Sequence, residues 1–167
     1  MAQQGVTLIQ LLYALALLGV LVQIGVPAYT AMSSDLQRQA VAQHLAQALR
    51  SARSEALLRN GPVSLEAIDG NWSNGWRMGT EEEGVLQEYR ASGQIRVVGN
   101  QPLARQVRFG GLGVPEQSGG FQAGTLHVCE GPGQRSLYQV VLSRTGRVSM
   151  RRTASKEPLC AATHSDQ

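Results

Sequence analysis

The first charged side chain in this 167-residue chain is Asp35. Within the uncharged stretch before it, Val6 to Tyr29 reads VTLIQLLYALALLGVLVQIGVPAY, twenty-four residues with only Thr7, Gln10 and Gln23 plainly polar. As a helix rising about 1.5 Å per residue, it exceeds the ~30 Å hydrocarbon core of a bilayer and is long enough to span one. A secretory signal peptide is the alternative. That needs a charged n-region and a shorter apolar stretch before a small-x-small cut, whereas MAQQG holds no Lys or Arg and the apolar run is too long.

No Gly/Pro/Ser linker follows the run. Leu36, Ala40, Val41, Leu45, Ala48, Leu49, Ala52 and Ala56 recur at steps of three and four, with Arg38, Gln39, Gln43 and Arg50 on the other face, the pattern of an amphipathic helix. One helix is expected over 6–60, on the order of 80 Å long. Residues 6–29 form its transmembrane half and 30–60 its amphipathic half, and Gly61-Pro62 ends it. Pro27 lies inside, where its missing N–H and ring clash are expected to kink or loosen the helix.

From residue 61 to 167 the pattern changes to short alternating runs. Strands are expected at 63–68, 85–89, 94–98, 105–109, 125–129, 137–143 and 147–150, with turns at Asp69-Gly70, Gly110-Gly111 and Ser118-Gly119-Gly120. An antiparallel sheet or pair of sheets packed on the amphipathic half of the helix gives an α+β fold with a ladle shape. A chain of this length holds one such core. Trp72 and Trp76, close together in a glycine-containing turn, are expected to cap that core rather than stack on a ligand. Glu81, Glu82 and Glu83 decorate a hairpin tip; a calcium site would need a tighter set of oxygen ligands. The glycine-rich pieces lack the Lys-Ser/Thr of a phosphate loop. The three histidines, His44, His127 and His164, show neither metal-ligand nor nucleophile-type spacing, so no catalytic residue, metal or cofactor is expected and the chain reads as a non-enzyme.

Charged residues make up only 16% of the chain against the usual ~25%, and their placement is uneven. Arg135, Arg144, Arg147, Arg151, Arg152 and Lys156 occur with no acid between them, so this one stretch exceeds the whole formal net charge of +3. Turn residues Thr145-Gly146 between two strand-like runs predict a hairpin with Arg147, Ser149 and Arg151 on one face, while Arg152 and Lys156 continue into a loop. A patch of guanidinium groups suits phosphate oxygens. Arg and Lys along a strand edge also discourage edge-to-edge pairing, and the residues alone leave both readings open. Cys129 and Cys160 bracket the segment. Without a C-x-x-C spacing, they read best as one disulfide formed in an oxidising compartment, the alternative being two unrelated thiols.

Gly5 followed by VTLIQLLYALALLGVLVQIGVPAY resembles the class III signal of type IV pilins and type II secretion pseudopilins. The resemblance implies that a prepilin peptidase cuts between Gly5 and Val6, that Val6 is N-methylated, and that Pro27 is the helix-disrupting proline of such pilins. ARSEALLRN at 52–60 and the pair Trp72 and Trp76 in NWSNGW resemble the GspH/FimT family of minor pilins and pseudopilins. Two departures stand out. The leader has no Lys or Arg, and Gln10 stands where the family usually has a Glu that pairs with a neighbouring subunit's amine during assembly. A Gln supplies no charge, so docking at this position is of the weaker, uncharged kind. The C-terminal segment is similar to the GRxRxC-type tail of FimT-like minor pilins, whose loop arginines bind DNA for natural transformation. Gly146, Arg147 and Cys160 match, Ser149 stands where a second arginine is expected, and the spacing to the cysteine is longer.

The resemblance thus implies a minor pilin of a type IV pilus, a structural and assembly-priming subunit with other pilins, the peptidase and the inner membrane as partners. Its single span would leave the head in the periplasm before entry into the fibre. Arg144, Arg147, Arg151, Arg152 and Lys156 are the candidate contacts to double-stranded DNA. The alternatives are a minor pseudopilin of a type II secretion system and a membrane-anchored binding protein that joins no fibre. Intact-mass measurement of the protein from its native host is expected to give a chain beginning at methylated Val6; a chain retaining Met1 would remove the pilin assignment.

Overall fold

The computed structural model describes residues 8–117, 120–131 and 135–161. The expected cleavage and methylation positions Gly5 and Val6, together with His164, lie outside the described residues. The chain divides into an N-terminal unit ending at Gln37 and a globular unit beginning at Arg38.

Helix α1 (Leu8–Arg59) is continuous across that boundary and contains Pro27 without ending there. The expected disruption is therefore confined to less than a break. Proline removes one amide donor, while Thr30 Oγ1 donates to the Pro27 carbonyl at 3.0 Å. In the N-terminal unit Leu8 to Met32 expose their apolar side chains, and an uncharged window long enough to cross a bilayer has none of its surface buried within the protein. The helix stops through its backbone. Asn60 takes a left-handed φ of 49°, its N–H reaches the Leu57 carbonyl, and the Gly61 N–H reaches the Ala56 carbonyl at 3.2 Å. This paired closure satisfies two terminal carbonyls just before Pro62.

In the globular unit α1 buries Val41, Ala42, Leu45, Ala46, Leu49, Ala52 and Ala56. The expected stripe is corrected at its start, since Leu36 is 53% exposed and Ala40 is exposed, while Ala42 and Ala46 join the buried face. Four alanines among seven buried positions let the sheets approach the helix axis closely.

Among the described residues three antiparallel sheets follow. The first has order β3-β2-β1-β5, from β1 (Val63–Ala67), β2 (Gly75–Thr80), β3 (Gly84–Arg90) and β5 (Gln106–Phe109). The second has order β10-β9-β8-β4, from β4 (Val97–Gly99), β8 (Gly124–Cys129), β9 (Arg135–Leu142) and β10 (Val148–Lys156). A small hairpin pairs β6 (Glu116–Gln117) with β7 (Gly120–Phe121), and α2 (Pro158–Ala161) is a single turn near the end. Leu65, Val107 and Phe109 of the first sheet and Leu126, Val128 and Val140 of the second share one core with the helix stripe.

Several expectations are corrected here. Strand β2 falls where a turn was expected, and the two tryptophans separate: Trp72 opens a 3-10 turn (Trp72–Asn74) while Trp76 sits in β2. Both are buried, Trp72 with its indole N–H donating to the Leu103 carbonyl at 2.9 Å. The sequence GWRMGT carries no β-branched residue before its last position, but its glycines permit close strand pairing. A Cβ at Gly75 would come within 2.0 Å of the Tyr89 carbonyl oxygen, and one at Gly79 within 2.5 Å of the Gly84 oxygen. The run expected at 94–98 pairs only over β4. At the other end β10 continues to Lys156, so Arg152 and Lys156 lie on a strand, and a bulge between Arg152 and Ser155 accommodates the extra length. The three glutamates do occupy the β2–β3 turn, where Glu81 pairs with Arg108 and Glu83 with Arg59.

The helix stripe sets the stability of the unit. Leu45→Ala, at a fully buried position, is expected to cost about 2–5 kcal/mol. Leu58→Ala, at an 80% exposed position, is expected to cost no more than about 0.5 kcal/mol. Urea unfolding of the detergent-solubilised chain, followed by tryptophan emission, measures both.

Candidate nucleic-acid interface

The basic segment folds as the β9–β10 hairpin, in which Ser149 opposes Val141, Met150 opposes Val140 and Arg151 opposes Gln139. Its turn is tied at both ends: the Ser143 N–H donates to the Arg147 carbonyl, and the Arg147 N–H donates to Ser143 Oγ, each at 3.0 Å. Gly146 is buried with a φ of 78°, and a Cβ there would meet the Gly113 carbonyl oxygen at 2.3 Å. Only glycine fits, on both conformational and steric grounds. Helix α1 secures this corner. Arg53 Nε donates to the Gly113 carbonyl at 3.0 Å and Arg50 Nη2 to the Val148 carbonyl at 3.3 Å.

Strand alternation then divides the candidate residues between two faces. Arg147, Ser149 and Arg151 line one shallow surface groove with Val141, Ser143 and Met150, the three alternating residues being the face expected from the sequence. Val148 and Met150 alternate to the other face and pack against the core, Met150 also bordering the groove. Arg152 goes with them, its guanidinium carbon 5.7 Å from the centroid of the Tyr138 ring, in reach of a cation–π contact. Arg152 therefore does not join the Arg147–Arg151 groove. Arg144 is exposed in the turn, and Lys156 is exposed beyond the bulge, opposite Arg135. Arg135 has Glu130 at 3.8 Å, whereas Arg144, Arg147, Arg151 and Lys156 have no carboxylate within ion-pair distance among the described residues. Cation density without local acids raises the potential at the groove. The sequence reading missed that Arg50 and Arg53 sit beside the hairpin. About a hundred positions separate them from it, and no spacing rule connects an exposed helical arginine to a distant turn.

Cys129 and Cys160 form a disulfide with Cα atoms 5.7 Å apart. It joins the end of β8 to α2 and so holds down the chain that leaves β10. Arg96 Nη2 adds a hydrogen bond to the Leu159 carbonyl at 3.2 Å. A buried polar group completes the attachment: His127 Nδ1 lies 3.1 Å from Ser136 Oγ, and Nε2 lies 3.4 Å from Glu157 Oε2. Serine, histidine and carboxylate in a row invite comparison with a hydrolase triad. Here Ser136 is wholly buried, so its hydroxyl is sealed from any substrate and the group is structural. No spacing in the sequence links these three residues, because β8, β9 and the residue between β10 and α2 each supply one.

Burial pushes the His127 pKa below its ordinary value of 6.5, and the nearby Glu157 charge opposes this only in part. The folded ring stays neutral where the unfolded ring takes up a proton. Its contribution to stability is complete above about pH 6.5 and is lost as pH falls from there through the folded pKa. The melting temperature is accordingly expected to drop on acidification below about pH 6.5. His127→Gln is expected to flatten that part of the profile, as thermal scans across the range would show.

Comparison with known proteins supplies the family. The model of the family described as type II transport protein GspH matches residues 41–146. Among solved structures, the type IV minor pilin FimU of Pseudomonas aeruginosa PAO1 matches in two crystal forms. In space group P21 the match has a TM-score of 0.62 at 19% identity and covers 75% of this chain and 98% of FimU. In space group P65 the TM-score is 0.59 at 20% identity, with coverage of 71% and 98%. At such identities the likeness establishes the fold, a long N-terminal helix with an antiparallel sheet head. A search of curated proteins returns no significant match. Since the family match takes in more than half of the chain, this protein belongs to the GspH family of type IV pilin-like minor pilins and pseudopilins.

Proposed function

We propose that this chain is a minor pilin of a type IV pilus that primes or ends the fibre and binds DNA without sequence preference. In this reading the prepilin peptidase cuts after Gly5, Val6 is methylated, and the apolar half of α1 passes from the inner membrane into the fibre. Gln10 and Pro27 then lie among neighbouring helices, and the head faces the periplasm before display on the pilus. The apolar helix suits this role because it needs hydrocarbon first and other apolar helices afterwards.

The observation that carries DNA binding is the acid-free groove holding Arg147 and Arg151 on one face of a braced hairpin, with Arg144 at its turn. Guanidinium forks bind phosphate oxygens with paired hydrogen bonds. The disulfide and the turn hydrogen bonds hold the strand in place beforehand, so little ordering entropy is lost on binding. Such contacts go to the backbone of the nucleic acid and carry no sequence information. The reading as a minor pseudopilin of a type II secretion system is favoured by the description of the matching family. The fibre that copurifies with the chain separates the two.

Gel shifts with duplex DNA test the groove. Four to five phosphate contacts give a slope of log K against log salt of about −4, or roughly 10²-fold weaker binding between about 50 and 200 mM salt. Arg147→Ala with Arg151→Ala is expected to weaken binding and flatten the slope by about two units, while Arg152→Ala has a smaller effect. Equal, weak retention of all variants would end the DNA reading.

A further inference from the structure

A second surface feature of the globular unit has a chemistry opposite to that of the hairpin. Between the 44–51 stretch of α1 and strands β2 and β3 a cleft of about 190 Å³ opens to solvent. Its floor is apolar, made by Leu65, Trp76 and Met78. Around it stand His44, Gln47, Ser51, Gln87 and Tyr89, and among the described residues no Asp, Glu, Lys or Arg lines it. Three rings form a column there. Trp76 stacks on Tyr89 at 4.5 Å between centroids, Tyr89 stacks on His44 at 5.4 Å, and burial falls from a covered Trp76 to an exposed His44. The side chains of Gln47, Ser51 and Gln87 have no protein hydrogen-bond partner among the described residues.

The lining selects among ligand classes. A phosphate or carboxylate would find no Lys or Arg here, and an ammonium group no carboxylate. A purely apolar side chain would strip water from the amides and the hydroxyl without replacing its hydrogen bonds, an unfavourable exchange. What remains is a neutral ligand, apolar on one face and rich in hydroxyls at its edge. A pyranose ring has this construction. Its C–H face meets the electron-rich face of an aromatic ring, and its hydroxyls donate to and accept from glutamine amides.

We propose that this cleft binds a neutral carbohydrate ring, with the outer face of His44, backed by Tyr89 and Trp76, as the stacking surface and Gln47 and Gln87 as hydrogen-bonding groups. The inference is independent of DNA binding, since the cleft shares no residue with the basic groove.

Isothermal titration tests it, using the full chain in a sugar-free detergent with triacetylchitotriose and maltotriose as probes and adenosine monophosphate as an anionic control. Saturable binding of at least one trisaccharide is expected, weakened about tenfold or more by Tyr89→Ala and by Gln47→Ala and unchanged by Arg147→Ala. Gln47 is exposed on the helix, so its replacement keeps the test valid should Tyr89→Ala misfold. No heat of binding from either sugar would overturn the proposal. So would sugar binding that survives both cleft variants, or adenosine monophosphate binding as tightly as the sugars.

Discussion

Inside hydrocarbon no water completes a backbone hydrogen bond, so the uncharged first half of α1 has one ordered form open to it, a helix that closes its own bonds residue by residue. That requirement reaches the rest of the chain because the helix does not stop at Gln37 but runs on to Arg59. Its second half must bury an apolar stripe in water, and both sheets supply the cover. The stripe is built largely of alanine, which brings β-strand side chains such as Phe109, Leu126 and Val140 close to the helix. Small residues at this contact leave little room for substitution, since a larger side chain has nowhere to go in a close-packed interior.

How much of this was legible in the sequence depended on how local the signal was. The long helix announces itself through an apolar run, a three-four period and Gly61-Pro62 at its end, all local features. Asn60, which takes the left-handed conformation, carries no signal stronger than being a residue that tolerates it. Strand β2 was not legible, because GWRMGT has no β-branched residue before its last position and owes its place to backbone approach at Gly75 and Gly79. The far half of β10 was lost for a related reason: RRTASK has no alternation, and its pairing is imposed by β9 across a bulge. For the candidate groove, alternation foretold that Arg147 and Arg151 share a face but not that Arg152 turns toward Tyr138. Arg50, Arg53 and the Ser136–His127–Glu157 row meet only in three dimensions.

One set of charges on the basic hairpin can answer two needs, protection of a strand edge and the proposed binding of phosphate. As the outer strand of its sheet, β10 presents an unpaired edge, and a nine-residue edge without charges would invite pairing with another chain. Arginines at 147, 151 and 152 and Lys156 guard it whether or not a ligand is present. Phosphate binding asks for more than charge. It asks that the cations be held in position, and here the holding groups are separate from the cations: Gly146 seated on Gly113, Arg50 and Arg53 bonding backbone carbonyls, and a disulfide beyond the strand.

The family match ends at residue 146, at the glycine of the turn, so Arg147, Arg151 and Lys156 fall beyond it. The matched part contains the buried end of α1, most of the core strands and the corner that holds the hairpin. A shared scaffold of this kind determines where a following strand must pair, because β9 already offers its open edge. It does not determine which side chains that strand carries. Substitutions on the exposed face of β10 cost the core little, and so the chemistry of the groove can vary while the fold that presents it stays the same. The Gly146 corner is the point where these two kinds of constraint meet: a residue fixed by sterics on one side of the turn, and on the other a run of positions free to take whatever charge a partner selects.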